Sequence, residues 1–174
     1  MFQSVKQMID ALKPVANVLT DRVSVTDASA ITDDLVNQLA STAAFGADAE
    51  IKGTARWIIR SLAAARGIRP ASIHDLYMAM GRGEAGGFTV PAINVRAMAY
   101  ETARAVVRSA RALNAGAFIF EIARPEIGYT EQRPHEYVAI VLAAALREGF
   151  SGPLFIQGDH VQTNAKKFNS PERD

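Results

Sequence analysis

The 174-residue chain contains no cysteine, which excludes a disulfide scaffold, a thiolate nucleophile and a cysteine-ligated zinc site together. This absence is compatible with a reducing cytosol. Any metal site must be built from His, Asp or Glu, and the chain has three histidines. Neither sign of charge dominates, since 19 Lys and Arg stand against 18 Asp and Glu, for a net charge of +1. The basic residues are spread along the whole sequence instead of forming a stripe, so the electrostatic footprint of a nucleic-acid binder is missing. Long apolar runs are missing as well. Lys6, Asp10 and Lys13 interrupt the first apolar stretch, which makes it neither a signal peptide nor a membrane span, and no later segment stays apolar long enough to cross a bilayer. With 49% hydrophobic and 21% charged residues, the remaining balance is that of a soluble globular chain with a sizeable core, expected in the cytoplasm.

The first half reads as helices. Val5, Met8, Ile9 and Leu12 share one helical face, which Pro14 ends. Thr32 precedes Asp33 and Asp34, acids suited to a helix amino terminus, and Leu35, Val36 and Leu39 follow as an apolar stripe. Ile51, Ala55, Ile58, Ile59 and Leu62 line a third helix, with Arg56 and Arg60 left to water and Gly67 as its stop. Trp57 reads as a packing residue. Ser72 and Asp75 resemble a capping box in which Asp replaces Glu, ahead of Ile73, Leu76, Tyr77 and Met80, with an end at Gly81.

After the turn-rich segment Gly81–Gly87 the period changes, and short apolar runs alternate with amphipathic helices. Strands are expected over Phe88–Val95, Ala117–Ala123 and Pro153–Gln157, the first with an irregularity at Pro91. The middle run is apolar throughout apart from Glu121, as for a strand buried on both faces of a parallel sheet. Helices follow at Ala99–Ala110, at Pro134–Glu148 with Pro at its start and Gly149 past its end, and from Asn164. Strands recurring at roughly 30-residue intervals with helices between them imply βαβ units and a parallel sheet. Because a closed (β/α)8 barrel takes roughly 250 residues, the expected fold is α/β, a partial TIM barrel of three βα units. Residues 1–70 are expected as a helical amino-terminal extension and residues 71–174 as the incomplete barrel, the front portion of a longer protein.

In βα folds chemistry collects at the carboxyl ends of the strands. Here those ends offer Asn94, Glu121 and the pair Asp159-His160. The sequence at these points resembles the class II, metal-dependent fructose-bisphosphate and tagatose-bisphosphate aldolases. Val90-Pro-Ala-Ile-Asn-Val95 is similar to that family's first barrel strand, commonly a Val-Pro-Ala-Phe-Asn-Val run. Pro153-Leu-Phe-Ile-Gln-Gly-Asp-His160 is similar to its third. The resemblance spans approximately residues 76–168, and the helices before it match nothing in the usual members.

The resemblance implies a zinc-dependent aldol cleavage or condensation of a phosphorylated ketose, giving dihydroxyacetone phosphate and an aldehyde, by a homo-oligomeric enzyme of carbohydrate metabolism. His160 would bind the metal, and Asp159 would exchange a proton with the oxygen of the forming or breaking aldehyde. Asn94 would hold substrate or orient that acid. Glu121 stands where many members have Gln, as a substrate contact or as a strand acid paired with a residue such as Arg124. Ala123 and Arg124 replace the small polar residue the family has after that strand, which leaves the substrate open. A lysine Schiff base is disfavoured because no lysine falls on an expected barrel strand. The family's other zinc-binding histidines and phosphate loops would lie beyond Asp174, so the chain alone is expected to be inactive. His135 is expected at the surface of a helix's first turn, His74 in a helix before the barrel. A noncatalytic aldolase-like subunit, acting in binding or assembly, is the alternative.

Overall fold

Capping side chains set the leading helices. Ser4 accepts from the Gln7 N–H to open α1 (Val5–Leu12), Thr32 from Leu35 to open α2 (Asp33–Phe45), and Asp48 from Ile51 to open α3 (Ala49–Ala65). The computed structural model describes residues 1–169. Between α1 and α2 lies an antiparallel hairpin, β1 (Ala16–Val18) and β2 (Val23–Val25). Three-residue strands are too short to show a period, which is why the sequence there gave no strand signal.

The main sheet is parallel and has the order β3-β6-β5-β4. Its members are β3 (Ile68–Ala71), β4 (Ala92–Asn94), β5 (Ile119–Ala123) and β6 (Gly152–Asp159). Between them run α4 (His74–Gly81), α5 (Ala99–Ala112), α6 (Arg124–Tyr129) and α7 (Pro134–Arg147), and α8 (Ala165–Phe168) follows. The three expected strands are therefore neighbours in chain order, β4-β5-β6, as successive βα units require. The first is shorter than expected: residues 88–91 lie outside β4, although the Pro91 carbonyl still accepts from Ile119 N at 2.9 Å.

One strand of the sheet was not expected. Ile68-Arg-Pro-Ala pairs in parallel with β6 from Gly152 to Phe155. It carries one buried apolar side chain and a proline, which removes a ladder donor and restricts it to a sheet edge. The boundary expected between residues 70 and 71 falls inside this strand, and residues 170–174 of the second segment lie outside the described residues. One continuous core runs from Phe2 through the leading helices to Leu154. The leading helices α2 and α3 pack on α7, which also packs on α5.

Alternation along the strands separates two sheet faces. Phe118, Phe120, Ile122, Leu154 and Ile68 join the helical core. The paired rows Asn94–Glu121–Gln157 and Ala123–Asp159 belong to the opposite face. That face is only partly covered, with Ala92 exposed and Asn94, Phe155 and Gln157 half-buried.

Local expectations are corrected at three points. Arg56 is not left to water: its guanidinium reaches Glu136 at 2.6 Å and the Ala43 carbonyl at 2.9 Å. Ser72 accepts from His74 N, so no Ser72–Asp75 box forms and α4 starts without a side-chain cap at Ile73. Glu121 pairs with Gln157, while Arg124 donates to the Gln162 carbonyl. Trp57 is half-buried, and His74 and His135 are exposed. Among the described residues no helix is long and apolar enough to cross a membrane.

Candidate functional site at the strand ends

β6 ends at Asp159, where the backbone turns abruptly: His160 has φ +51°, a left-handed conformation that is costly for a residue with a side chain. The turn folds His160 back on its neighbour. Its N–H donates to Asp159 Oδ1 at 2.8 Å, and its ring Nδ1 lies 2.7 Å from Oδ2. Oδ2 also accepts from Asn94 Nδ2 at 3.1 Å. Asn94 and Asp159 come from strands on either side of β5, so this contact must pass over β5. Ala123, the register partner of Asp159, is small enough to let the two side chains meet.

Glu126 is the residue that sequence reasoning missed. It occupies the third position of α6, and its carboxylate turns back to accept from Ala123 N at 3.1 Å, as the acidic half of a capping box does. The run Ala123-Arg-Pro-Glu126, with proline in the first turn and an acid after it, is the signal that marks this helix start. The Glu126 side chain is 4% exposed. Its Oε1 accepts from Arg96 Nε at 2.5 Å and Asn94 Nδ2 at 3.3 Å. Arg96, 64% exposed, covers it from the solvent side.

Both carboxylates are held ionised. Burial alone would push Glu126 up, but the Ala123 N–H, the Asn94 amide and Arg96 together outweigh it and bring its pKa below the ordinary value. Asp159 is also lowered, first by its bond to the His160 ring and then by Asn94. With the proton on Nδ1 facing Asp159, a neutral His160 keeps the lone pair on Nε2; this tautomer is assigned from the hydrogen bond.

Asn94, Asp159 and His160 thus meet, and with Arg96, Ala123, Pro125, Glu126 and Tyr129 they line a concavity of about 210 Å³. Glu121 does not line it. That residue sits one row deeper, nearly buried, with its carboxylate on Gln157 and its carbonyl accepting from the Tyr137 hydroxyl. A larger cleft of about 440 Å³ adjoins the site through Arg96, between α2, the β4–α5 loop and α7, with Phe45, Met98 and Ile140 in its wall. The strand-end concavity is smaller, but it holds the polar groups that converge.

A catalytic zinc takes three protein ligands. Among the described residues no three His, Asp or Glu side chains are grouped to hold a metal. His160 is the one imidazole at the strand ends, so these residues do not fit a complete zinc site. No family model, curated protein or solved structure matches the chain.

Proposed function

We propose that the chain carries the acid–base portion of a class II aldolase-type lyase, a partial (β/α)8 barrel acting on a phosphorylated ketose of the fructose- or tagatose-bisphosphate kind. The observation that carries this reading is the meeting of Asn94, Asp159 and His160 across the ends of β4 and β6. In cleavage, the ionised Asp159 accepts the hydroxyl proton at the carbon that becomes the aldehyde. The carbon–carbon bond breaks and its electron pair passes to the enediolate of dihydroxyacetone phosphate. In condensation Asp159 returns the proton. His160 Nε2 would be one ligand of a zinc ion, which when bound would supply Lewis-acid chemistry toward negative charge on the substrate's oxygens; the described residues do not complete its ligand set. Glu121 is proposed as a substrate contact deeper on the same sheet face. The same reading makes the protein a cytoplasmic homo-oligomer of carbohydrate metabolism, with a sugar phosphate as partner.

A noncatalytic barrel-like subunit is the second reading, favoured by the proline-bearing β3 on the β6 edge that a next barrel strand would use. Metal analysis and turnover separate the two. The 1–174 chain is expected to bind zinc weakly, to lose that binding in His160→Ala, and to leave fructose 1,6-bisphosphate uncleaved. Unchanged zinc uptake in His160→Ala removes the ligand role, and robust turnover by 1–174 refutes the incomplete-site reading. Downstream coding sequence without further histidines favours the noncatalytic subunit.

A further inference from the structure

Three N–H donors converge on Glu126 from three different places: Arg96 from the β4–α5 loop, the Asn94 amide from the end of β4, and the Ala123 backbone from the end of β5. An ionised carboxylate accepts from all three without presenting a donor of its own to them. An amide in its place would set its own NH2 against one of them. The arrangement has a consequence for Asn94. Its amide nitrogen lies between two carboxylates, Glu126 on one side and Asp159 on the other, and both of its protons are drawn toward oxygen. Flipping the amide would put Oδ1 against both carboxylates, so Glu126 acts with Asp159 in fixing which end of Asn94 faces the strand ends.

We propose that Glu126 is a positioning residue which, by holding the Asn94 amide, fixes the Asp159 carboxylate against His160 at the mouth of the sheet. This deepens the lyase reading and rests on it for the role of Asp159. Glu126 has no hydrogen bond or ion pair with Asp159 or His160. Its influence passes through the shared amide, with Arg96 as the counter-charge that lets a buried carboxylate stay ionised. The β4, β5 and β6 ends are thereby tied together by side chains where the backbone ladder stops.

The test is a spectroscopic cycle at neutral pH on the 1–174 chain with 13C-labelled aspartate and 15N-labelled asparagine. Glu126→Leu keeps the volume and removes the acceptor, while Asn94→Ala removes the relay. The Asp159 carboxyl carbon is expected to shift in each single variant in the same direction, and the double variant is expected to match Asn94→Ala alone. In Glu126→Leu the Asn94 side-chain amide signals are expected to move upfield and lose protection from solvent. If Glu126→Leu does not fold, Glu126→Gln takes its place: its shift at Asp159 is smaller and is expected to vanish in the Asn94→Ala background. The proposal is overturned if Asp159 stays unmoved when Glu126 is replaced, or if it moves equally with and without Asn94, since the coupling would then be direct electrostatics. Zinc uptake by the 1–174 chain that is unchanged in His160→Ala counts against the lyase reading and leaves the relay intact, whereas His160-dependent uptake without the cycle overturns the relay alone.

Discussion

Replacing Glu126 by Gln is the sharpest single test of how the strand ends are held. The new side chain has the same shape and one acceptor instead of two. In its better orientation the amide oxygen takes Oε1's place, accepting from Arg96 and Asn94, and the NH2 then opposes the Ala123 N–H, which loses its 3.1 Å bond. An unpaired buried donor costs about 1–3 kcal/mol. Loss of the ionic part of the Arg96 contact adds less than about 1 kcal/mol, because Arg96 is mostly exposed and water replaces the partner. Relief of the buried charge works the other way. The net expectation is a destabilisation of about 2 kcal/mol, or about 4–8 °C in Tm for a domain of this size. Thermal and urea unfolding followed by circular dichroism measure it, with an unchanged denaturant slope. The sign with pH follows from the lowered carboxyl. Its stabilisation is fully present above the ordinary pKa of 4.5 and is lost as pH falls through the depressed folded value, so the difference between wild type and Glu126→Gln closes in acid. Equal melting temperatures at pH 7, or a difference that widens in acid, would refute the reasoning.

Two further substitutions test the packing that carries the site. Arg56→Met removes the cation that joins α3 to Glu136 of α7, both side chains being less than one-fifth exposed, and leaves Glu136 with Gln132 alone. The expected loss is about 2–3 kcal/mol, partly recovered by adding Glu136→Gln, and an unchanged urea midpoint would show the pair to be dispensable. Tyr137→Phe deletes the fully buried hydroxyl that donates to the Glu121 carbonyl at 2.7 Å. A loss of about 1 kcal/mol is expected in the same unfolding assay, and a Tm equal to that of wild type would count against the bond.

What the sequence disclosed follows from how far its signals reach. The helices α1, α2, α3, α5 and α7 were legible because their apolar faces repeat over two or more turns, and β5 because an apolar run bounded by turns leaves little choice. The meeting of Asn94 with Asp159 was legible only as two strand ends on one side of a parallel sheet. The amide nitrogen is also held by Glu126, 32 residues further along the chain. Its local signature announces a helix start and says nothing of a partner on β4. Arg56 was misread for a related reason: helical periodicity reports which face a residue occupies, but not that a half-buried acid 80 residues away faces it. Contacts of this kind belong to the tertiary arrangement and leave no local pattern.

β3 sharpens the choice between the two functional readings. On the barrel reading the edge of β6 that it occupies must be given to another strand, and little holds β3 there. Ile68 is its single fully buried side chain, Arg69 and Pro70 are exposed, and Pro70 has no N–H to give the ladder. Burial of one isoleucine contributes about 1.5–3 kcal/mol, an amount that a longer incoming strand with several apolar side chains exceeds. On the subunit reading the same proline serves to blunt an edge that would otherwise recruit a foreign strand. Both accounts use the same four residues. The opposite sheet face is compatible with both: the row Asn94–Glu121–Gln157 and Asp159 above it lie on a partly covered surface, and polar groups so arranged are spared a large desolvation cost while water or further protein meets them. A polar barrel mouth would supply that surrounding on the first reading and solvent on the second, so the hold on β3, not the sheet face, is what separates them.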